Sequence, residues 1–365
     1  MIRKILVSNF KCFDELSVEC GSLNLFTGIN GMGKSTLLQA LLLMRQTYEK
    51  KMTLEKTKLK LNGHYISLGV MKDIMNWYSE SETIQIKIYE DEHSLEVEYD
   101  ENGKQISNIK DANIINIKFL SGKFEYISAE RLGPRRYYDA LQNDYNDKEE
   151  IGIRGENTAL CLVKKGSDEK IYQNMKHETE KSERLDQQVN AWMTEISPGI
   201  SVNAIPYLDV NLVGIKYGVN NSFGEEEAQA VNMGFGVTYV LPVIVALLQA
   251  KKGDILVIEN PEAHLHPKGQ RRIGELIALA AENGVQIFME THSDHILNGI
   301  RLCVKNKKVS ADNVKINYFY QYFDSNKMLR HGKTSPEIME DGELSNWPDG
   351  FFDEWDKAID ELFCE

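Results

Sequence analysis

A chain of 365 residues, 42% hydrophobic and 27% charged, has the composition of a globular protein with room for one large domain or two smaller ones. Its net charge of −13 argues against a surface built to coat nucleic acid, although a local basic groove stays compatible with it. The cysteines, Cys12, Cys20, Cys161, Cys303 and Cys364, form no CxxC pair and are odd in number, which disfavours a disulfide framework or zinc site and fits a reducing cytoplasm.

The N-terminus, Met1-Ile2-Arg3-Lys4, runs straight into strand-like sequence without the apolar region of a signal peptide. Residues 2–7 and 23–27 read as short strands, and residues 34–48 as a helix with Leu37, Leu38, Leu41 and Leu42 on its apolar side. Residues 49–62, rich in Lys, read as a solvated helix or loop. Alternation over residues 84–99 predicts a hairpin with one buried face, and residues 113–119 and 124–128 read as further strands. The whole stretch is expected to form an antiparallel layer attached to the core. Residues 142–184 are polar and read as an insertion of helix and loop, too short for a coiled-coil arm. Strands are expected within residues 202–219. Then follow a helix at 236–250, a strand at 254–258, a helix at 268–282 and a strand at 285–289, an alternation that implies a parallel sheet covered on both faces. The longest apolar run, residues 237–250, is broken by Thr238 and Pro242 and reads as a buried helix, so no membrane contact is expected. An alternating segment at 316–323 and an amphipathic stretch at 351–363 close the chain, and no internal repeat is present.

The strongest motif spans residues 28–36. Gly28, Asn30, Gly31, Gly33, Lys34, Ser35 and Thr36 satisfy GxxxxGK[ST] without a mismatch, between a strand and a helix as a P-loop requires. The glycines allow backbone N–H groups to wrap phosphate oxygens, Lys34 sets a positive charge on the β- and γ-phosphates, and Ser35 offers its hydroxyl to Mg²⁺. The following helix points its positive end at the same phosphates. ATP and Mg²⁺ are therefore the expected cofactors. A second half of the site is expected at residues 254–262, where an apolar strand ends in Glu259, Asn260, Pro261 and Glu262. A carboxylate at the end of such a strand, Glu259, reaches the Mg²⁺ shell as a Walker B acid does. The 225 positions from Lys34 to Glu259 imply that material is inserted between two halves of one ATPase.

The run Glu259-Asn260-Pro261-Glu262-Ala263-His264-Leu265-His266-Pro267, followed by Glu290-Thr291-His292-Ser293-Asp294-His295, resembles the ABC-type ATPases of the chromosome-maintenance and RecF kind. It looks closest to the overcoming-lysogenization-defect branch and its relatives described as AAA ATPases. Residues 231–236, with Gly234 and Gly236, stand where that family carries its signature segment, and residues 347–353 are similar to a short domain of unknown function that closes one subgroup. The resemblance covers residues 1–75 and 225–365 well and the middle loosely. It implies an α/β P-loop ABC-type ATPase head, a mixed or parallel sheet flanked by helices with an antiparallel β layer and a short insertion in place of an arm. The expected division is residues 1–140 for the N-terminal half, 141–200 for the insertion, 201–315 for the C-terminal half and 316–365 for a small tail domain. It further implies catalytic roles for Glu259 and for His292 at the switch position. Gly234 and Gly236 would cap the ATP of an opposite subunit, in a homodimer or higher homo-oligomer. Small ATPases of this type resemble sensor subunits of bacterial anti-phage systems, beside a nuclease or other toxic effector encoded nearby.

Two positions depart from the pattern. Asn260 replaces the usual catalytic Glu, and an amide cannot accept a proton from water, so Glu262 is the expected substitute. The signature lacks Ser-Gly-Gly. Slow or partner-dependent hydrolysis follows, and a nucleotide-gated scaffold with little turnover is the alternative, with a RecF-like DNA-binding clamp as a third reading. His264, His266 and His295 read as part of a subunit-contact loop in preference to a zinc site. Arg131, Arg135 and Arg136 read either as a solvated turn or as a contact to nucleotide or nucleic acid.

Overall fold

The computed structural model describes residues 1–49, 57–107, 116–140, 151–221 and 224–363. The chain opens with the antiparallel pair β1 (Ile2–Phe10) and β2 (Phe13–Glu19), then enters β3 (Leu23–Gly28), which leads into α1 (Lys34–Tyr48). After the turn α2 (Met71–Ile74), the hairpin of β4 (Ile84–Glu90) and β5 (Ser94–Tyr99) returns to β1, giving an antiparallel sheet of order β2-β1-β4-β5. Its alternating residues Ile84, Ile86, Ile88, Leu95, Val97 and Tyr99 are all buried, as period-two patterning requires of a one-sided sheet. A helical turn α3 (Lys118–Ser121), β6 (Phe124–Ile127), β7 (Tyr138–Asp139), α4 (Thr158–Lys165) and α5 (Leu185–Ile196) come next. A small antiparallel sheet follows, in which β9 (Leu212–Asn221) pairs with β8 (Ile200–Tyr207), β10 (Gly224–Gln229) and β7. The C-terminal part alternates α6 (Phe235–Gln249), β11 (Ile255–Glu259), α7 (Pro267–Glu282), β12 (Gln286–Glu290), α8 (Asp294–Lys305) and β13 (Val314–Phe323), then closes with β14 (Leu329–Thr334) and α9 (Glu354–Phe363).

Strands from both ends of the sequence meet in a six-stranded sheet of order β14-β13-β3-β12-β11-β6, parallel throughout except for β14. Successive side chains of a strand point to opposite faces, and the central strands carry apolar residues toward both. Leu256 and Ile258 of β11, with Ile287 and Met289 of β12, face a core made with α4 to α8. Ile255, Val257 and Phe288 face a second core, made with α1 and the β2-β1-β4-β5 sheet. The central sheet is thus buried on both sides, and among the described residues the gap between the P-loop and Glu259 holds α1 to α6, the β4–β5 hairpin, β6 and the small sheet of β7 to β10.

Two expectations change. Residues 124–128 are not part of the antiparallel layer, since β6 is the parallel edge strand beside β11, in register from Phe124↔Ile255 to Ile127↔Ile258. The expected strand at 113–119 ends in the helical turn α3, while its first residues lie outside the described ones. Residues 185–196 form α5, whose Leu185, Val189, Trp192, Met193 and Ile196 are buried at helical spacing against α6 and α7. The lower part of residues 49–62 also lies outside the described residues, and Leu59 beyond it is buried.

The two β layers are stitched together by one amide. Gln286, 2% exposed at the start of β12, accepts from the Ile2 N–H at 2.8 Å and donates to the Ile2 carbonyl at 2.7 Å and the Gly21 carbonyl at 2.9 Å. A Gln286→Leu chain keeps the side-chain volume but strips these partners from buried backbone. It should lose roughly 1–3 kcal/mol of stability, read as a lower urea midpoint at an unchanged m-value.

Candidate nucleotide-binding site

The P-loop is shaped by packing as well as by sequence. Gly33 (φ 97°) caps α1, and a Cβ there would lie 2.6 Å from the Phe13 ring and 2.7 Å from Cys12 Sγ, so the β1–β2 turn sets the height of the loop. Ile29, Asn30 and Gly31 form its exposed crest. Lys34 folds back into the loop, its Nζ donating to the carbonyls of Gly28 at 3.0 Å and Ile29 at 2.9 Å. Burial lowers its pKa, and the Glu290 carboxylate 3.9 Å away partly restores it. Thr36 is buried with its hydroxyl 3.7 Å from Cys12 Sγ.

Three carboxylates gather at the C-terminal ends of β11 and β12, and one of them, Glu290, reaches the P-loop. Glu259 and Glu290 are direct partners in the β11–β12 ladder. Glu259, the expected Walker B acid, accepts the Tyr126 hydroxyl on Oε1 at 3.1 Å and the Ala129 N–H on Oε2 at 3.0 Å. Asn260 follows with φ 44° and donates its backbone N–H to the Glu290 carbonyl at 2.9 Å. Glu262 accepts the His292 N–H on Oε1 at 2.7 Å, while its buried Oε2 has no partner. Glu290, which the sequence reading did not single out, stands 3.9 Å from Lys34 Nζ and 4.0 Å from Nε2 of His292; burial pushes its pKa up, and Ser35 and Lys34 draw it back down. The signal was present, because a lone acid ends an otherwise apolar strand directly before Thr291-His292. Burial and the nearby Lys34 lower the His292 pKa, favouring the neutral ring. A hydroxyl and carboxylates offer the hard oxygen donors that suit Mg²⁺ completed by phosphates and water. No cluster of three His, Cys, Asp or Glu able to hold a metal occurs among the described residues.

Arg131 matches neither of its expected readings. It is 2% exposed, donates to the carbonyls of Ser128 (3.1 Å), Glu259 (2.7 Å) and Asn260 (2.6 Å), and its guanidinium lies 5.4 Å from the Tyr239 ring centre. Burial lowers its pKa to about 10, so it keeps its charge at neutral pH. Arg135 and Arg136 are exposed. His264 packs against the rings of Phe235 and Tyr239, and His266 accepts the Lys268 N–H at the start of α7.

Gly234 and Gly236 flank the start of α6. A Cβ on Gly234 would meet nothing within 4 Å, so in the single chain this position touches neither the P-loop nor the acids. Gly236 is pressed on the acid-bearing loop, where a Cβ would lie 2.3 Å from the His264 carbonyl oxygen. Val231 and Phe235 beside them are exposed, as is Ile29 of the P-loop. On the other side of the P-loop, a cavity of about 560 Å³ is bordered by Lys11, Trp77, Tyr78, Tyr322, Arg330 and His331.

Residues 23–298, which hold the P-loop, the acids and His292, match the family described as "AAA domain, putative AbiEii toxin, Type IV TA system". The chain belongs to this AAA-domain family. Residues 309–362 match a second family, described as a protein of unknown function (DUF3696), and the expected tail segment 347–353 falls inside it. No curated protein matches the chain. Among solved structures, the AAA-domain chain is similar to an Smc head bound to the C-terminal winged-helix domain of ScpA, with 14% identity, coverage of 92% of this chain and 97% of that one, and a TM-score of 0.58. A Pyrococcus furiosus Smc head with an extended coiled coil, bound to the C-terminal domain of ScpA, is 12% identical, with 99% of both chains covered and a TM-score of 0.54. The fold is thus that of an ABC-type ATPase head, and the family makes the chain a nucleotide-binding ATPase.

Glu262 links this site to stability. Burial raises its pKa more than the His292 N–H and Arg131 lower it. A folded-state pKa above the unfolded one means that the group favours folding fully only below the unfolded pKa, and that this contribution is lost as pH rises through the folded pKa. Glu262→Gln should therefore melt higher than the parent at about pH 8, with the gain shrinking toward about pH 4 where the unfolded carboxyl also protonates. A thermal-melt series across pH reads the difference.

Proposed function

We propose that this chain binds and hydrolyses ATP with Mg²⁺ as an ABC-type ATPase that closes as a homodimer over two nucleotides. In this reading it is a sensor or regulatory subunit of an anti-phage defence system, related to the overcoming-lysogenization-defect branch and acting beside a nuclease or other effector. The observation that carries the chemistry is the meeting of Lys34, Ser35, Glu290, Glu262 and His292 at one end of the central sheet. Lys34 would turn from the Gly28 and Ile29 carbonyls to hold the phosphates, and Trp77, Tyr78 and His331 of the neighbouring cavity would offer rings for the base to stack on. Ser35 and a strand-end acid would hold Mg²⁺, which when bound would neutralise charge on the phosphates. Glu262 is the base in place of Asn260, because it is the next carboxylate on the same loop and accepts the His292 N–H, which ties it to the switch position. His292, fixed by its own N–H on Glu262, orients that water.

The defence role draws on the family description, which names a toxin and a toxin–antitoxin system. A scaffold with little turnover is favoured by one observation, the Asn260 side chain at the position next to the Walker B acid, and steady-state phosphate release separates it from the ATPase. Lys34→Ala should abolish tight ATP binding. Glu262→Gln should bind ATP as the parent does while releasing phosphate ~10²-fold more slowly or less still. Parent-like turnover in Glu262→Gln would return that residue to a structural role.

The dimer has its own test. Gly234 stands in open space at the N-terminus of α6, where Asp is a good helix cap. Gly234→Asp should fold and bind ATP in the single chain, yet block closure by repelling the partner's phosphates. Mixed with Lys34→Ala, it should regain part of the lost turnover, since one composite site then carries both defects and the other neither. No recovery with heterodimers demonstrably formed would sink the shared-site arrangement.

A further inference from the structure

The position of Glu259 makes it the expected acid for the metal, yet the contacts of the three strand-end carboxylates divide the work differently. Both oxygens of Glu259 are engaged away from the P-loop, by the Tyr126 hydroxyl of β6 and the Ala129 N–H just beyond it. Glu259 thereby ties the end of β11 to the loop that follows β6. Glu290 sits on β12, the strand that lies between β11 and the P-loop strand β3 in the sheet. Neighbouring strands are spaced by about 4.8 Å, so the end of β12 is one strand from the phosphate loop and the end of β11 is two. Glu290 uses that place, since its carboxylate lies 3.9 Å from Lys34 Nζ, next in sequence to Ser35, and 4.0 Å from His292 Nε2. The side chain is only 10% exposed, and its charged and polar neighbours are Lys34 and Ser35 of the P-loop, His292, and the acids Glu259 and Glu262.

We propose that Glu290, and not Glu259, is the acid that faces the divalent cation held by Ser35, while Glu259 is a positioning residue that fixes the turn at Asn260. Ser35 is the P-loop hydroxyl that would supply one metal ligand, and a carboxylate 3.9 Å from the adjacent Lys34 would reach that metal directly or through one of its waters. The chain has in effect moved its metal-facing charge one strand toward the P-loop. This arrangement deepens the Mg²⁺–ATP reading and rests on it.

The test uses the full chain with the β,γ-imido analogue of ATP and Mn²⁺ as the probe, following free Mn²⁺ by its paramagnetic resonance signal. Binding of the analogue alone is measured in parallel by calorimetry. Glu290→Gln should weaken Mn²⁺ affinity in the nucleotide complex by ~10–100-fold while leaving metal-free binding of the analogue within about threefold. Glu259→Gln should keep Mn²⁺ affinity within about threefold but melt lower, because the Tyr126 and Ala129 donors lose a charged acceptor. Glu290→Asp withdraws the carboxylate by one methylene and serves if the Gln variant does not fold, with loss of Mn²⁺ affinity again expected. The assignment is overturned if Glu259→Gln carries the loss, or if both variants lose equally. A parent chain that binds no analogue with or without Mn²⁺ would instead remove the nucleotide reading itself, and Lys34→Ala, expected to bind none, calibrates that outcome.

Discussion

Arg131 is a buried cation whose nearest partners are backbone carbonyls. Its guanidinium spans Ser128, Glu259 and Asn260 and holds the left-handed residue Asn260 at the end of β11. An L-residue at φ 44° is tolerated only where its surroundings compensate, and here charge-assisted hydrogen bonds in a dry pocket do so. Everything that follows along the chain is aimed by that turn. The Asn260 N–H reaches the end of β12, Glu262 comes to lie under His292, and the His264 carbonyl becomes the floor on which Gly236 and α6 rest. The same guanidinium touches Tyr239 on α6, so the strand end and the helix are held by one side chain.

The acids around this turn show how the fold tolerates charge that burial disfavours. Glu262 and Glu290 are both pushed toward the protonated form by desolvation, and each is drawn back by specific donors, the His292 N–H in one case and Ser35 with Lys34 in the other. A surface salt bridge contributes little because water competes for both partners. These groups are shielded from water, and the donors Lys34, Ser35 and His292 sit on two segments far apart in sequence, the P-loop and the loop after β12. Stability given up at such a place is a common mark of groups kept for chemistry.

Much of this was legible in the sequence because it depends on local pattern. The motif from Gly28 to Thr36 fixes its own loop, the apolar strand before Glu259 announces itself, and the alternation at residues 84–99 could pack only as a one-sided hairpin. What escaped the sequence is what depends on sheet order. Residues 124–127 alternate like any short strand, and nothing local says that they pair in parallel with β11 over a separation of about 130 residues. Glu290 is visible as an acid directly before Thr291-His292, but what it can reach shows only once β12 is placed between β3 and β11. Arg131 sits in a polar stretch with Arg135 and Arg136 and looks solvated with them, whereas the fold buries one and exposes two. The helix α5 lies inside the stretch read as a helical, polar insertion, and its apolar stripe of Leu185, Val189, Trp192, Met193 and Ile196 does not stand out from the polar residues around it.

The contact between Gly236 and the His264 carbonyl leaves no room for sliding, and Arg131 clamps the same junction from the side. The acid loop and the start of α6 therefore form one rigid block within each chain. In a head-to-tail dimer of the kind proposed, the acid loop of that block serves one nucleotide and the helix serves the other. A block that cannot flex internally gives the two sites no means of filling one after the other in independent steps. The response to nucleotide would then be sigmoidal, with a Hill coefficient approaching two, and a cell would read it as a threshold crossed instead of a level tracked.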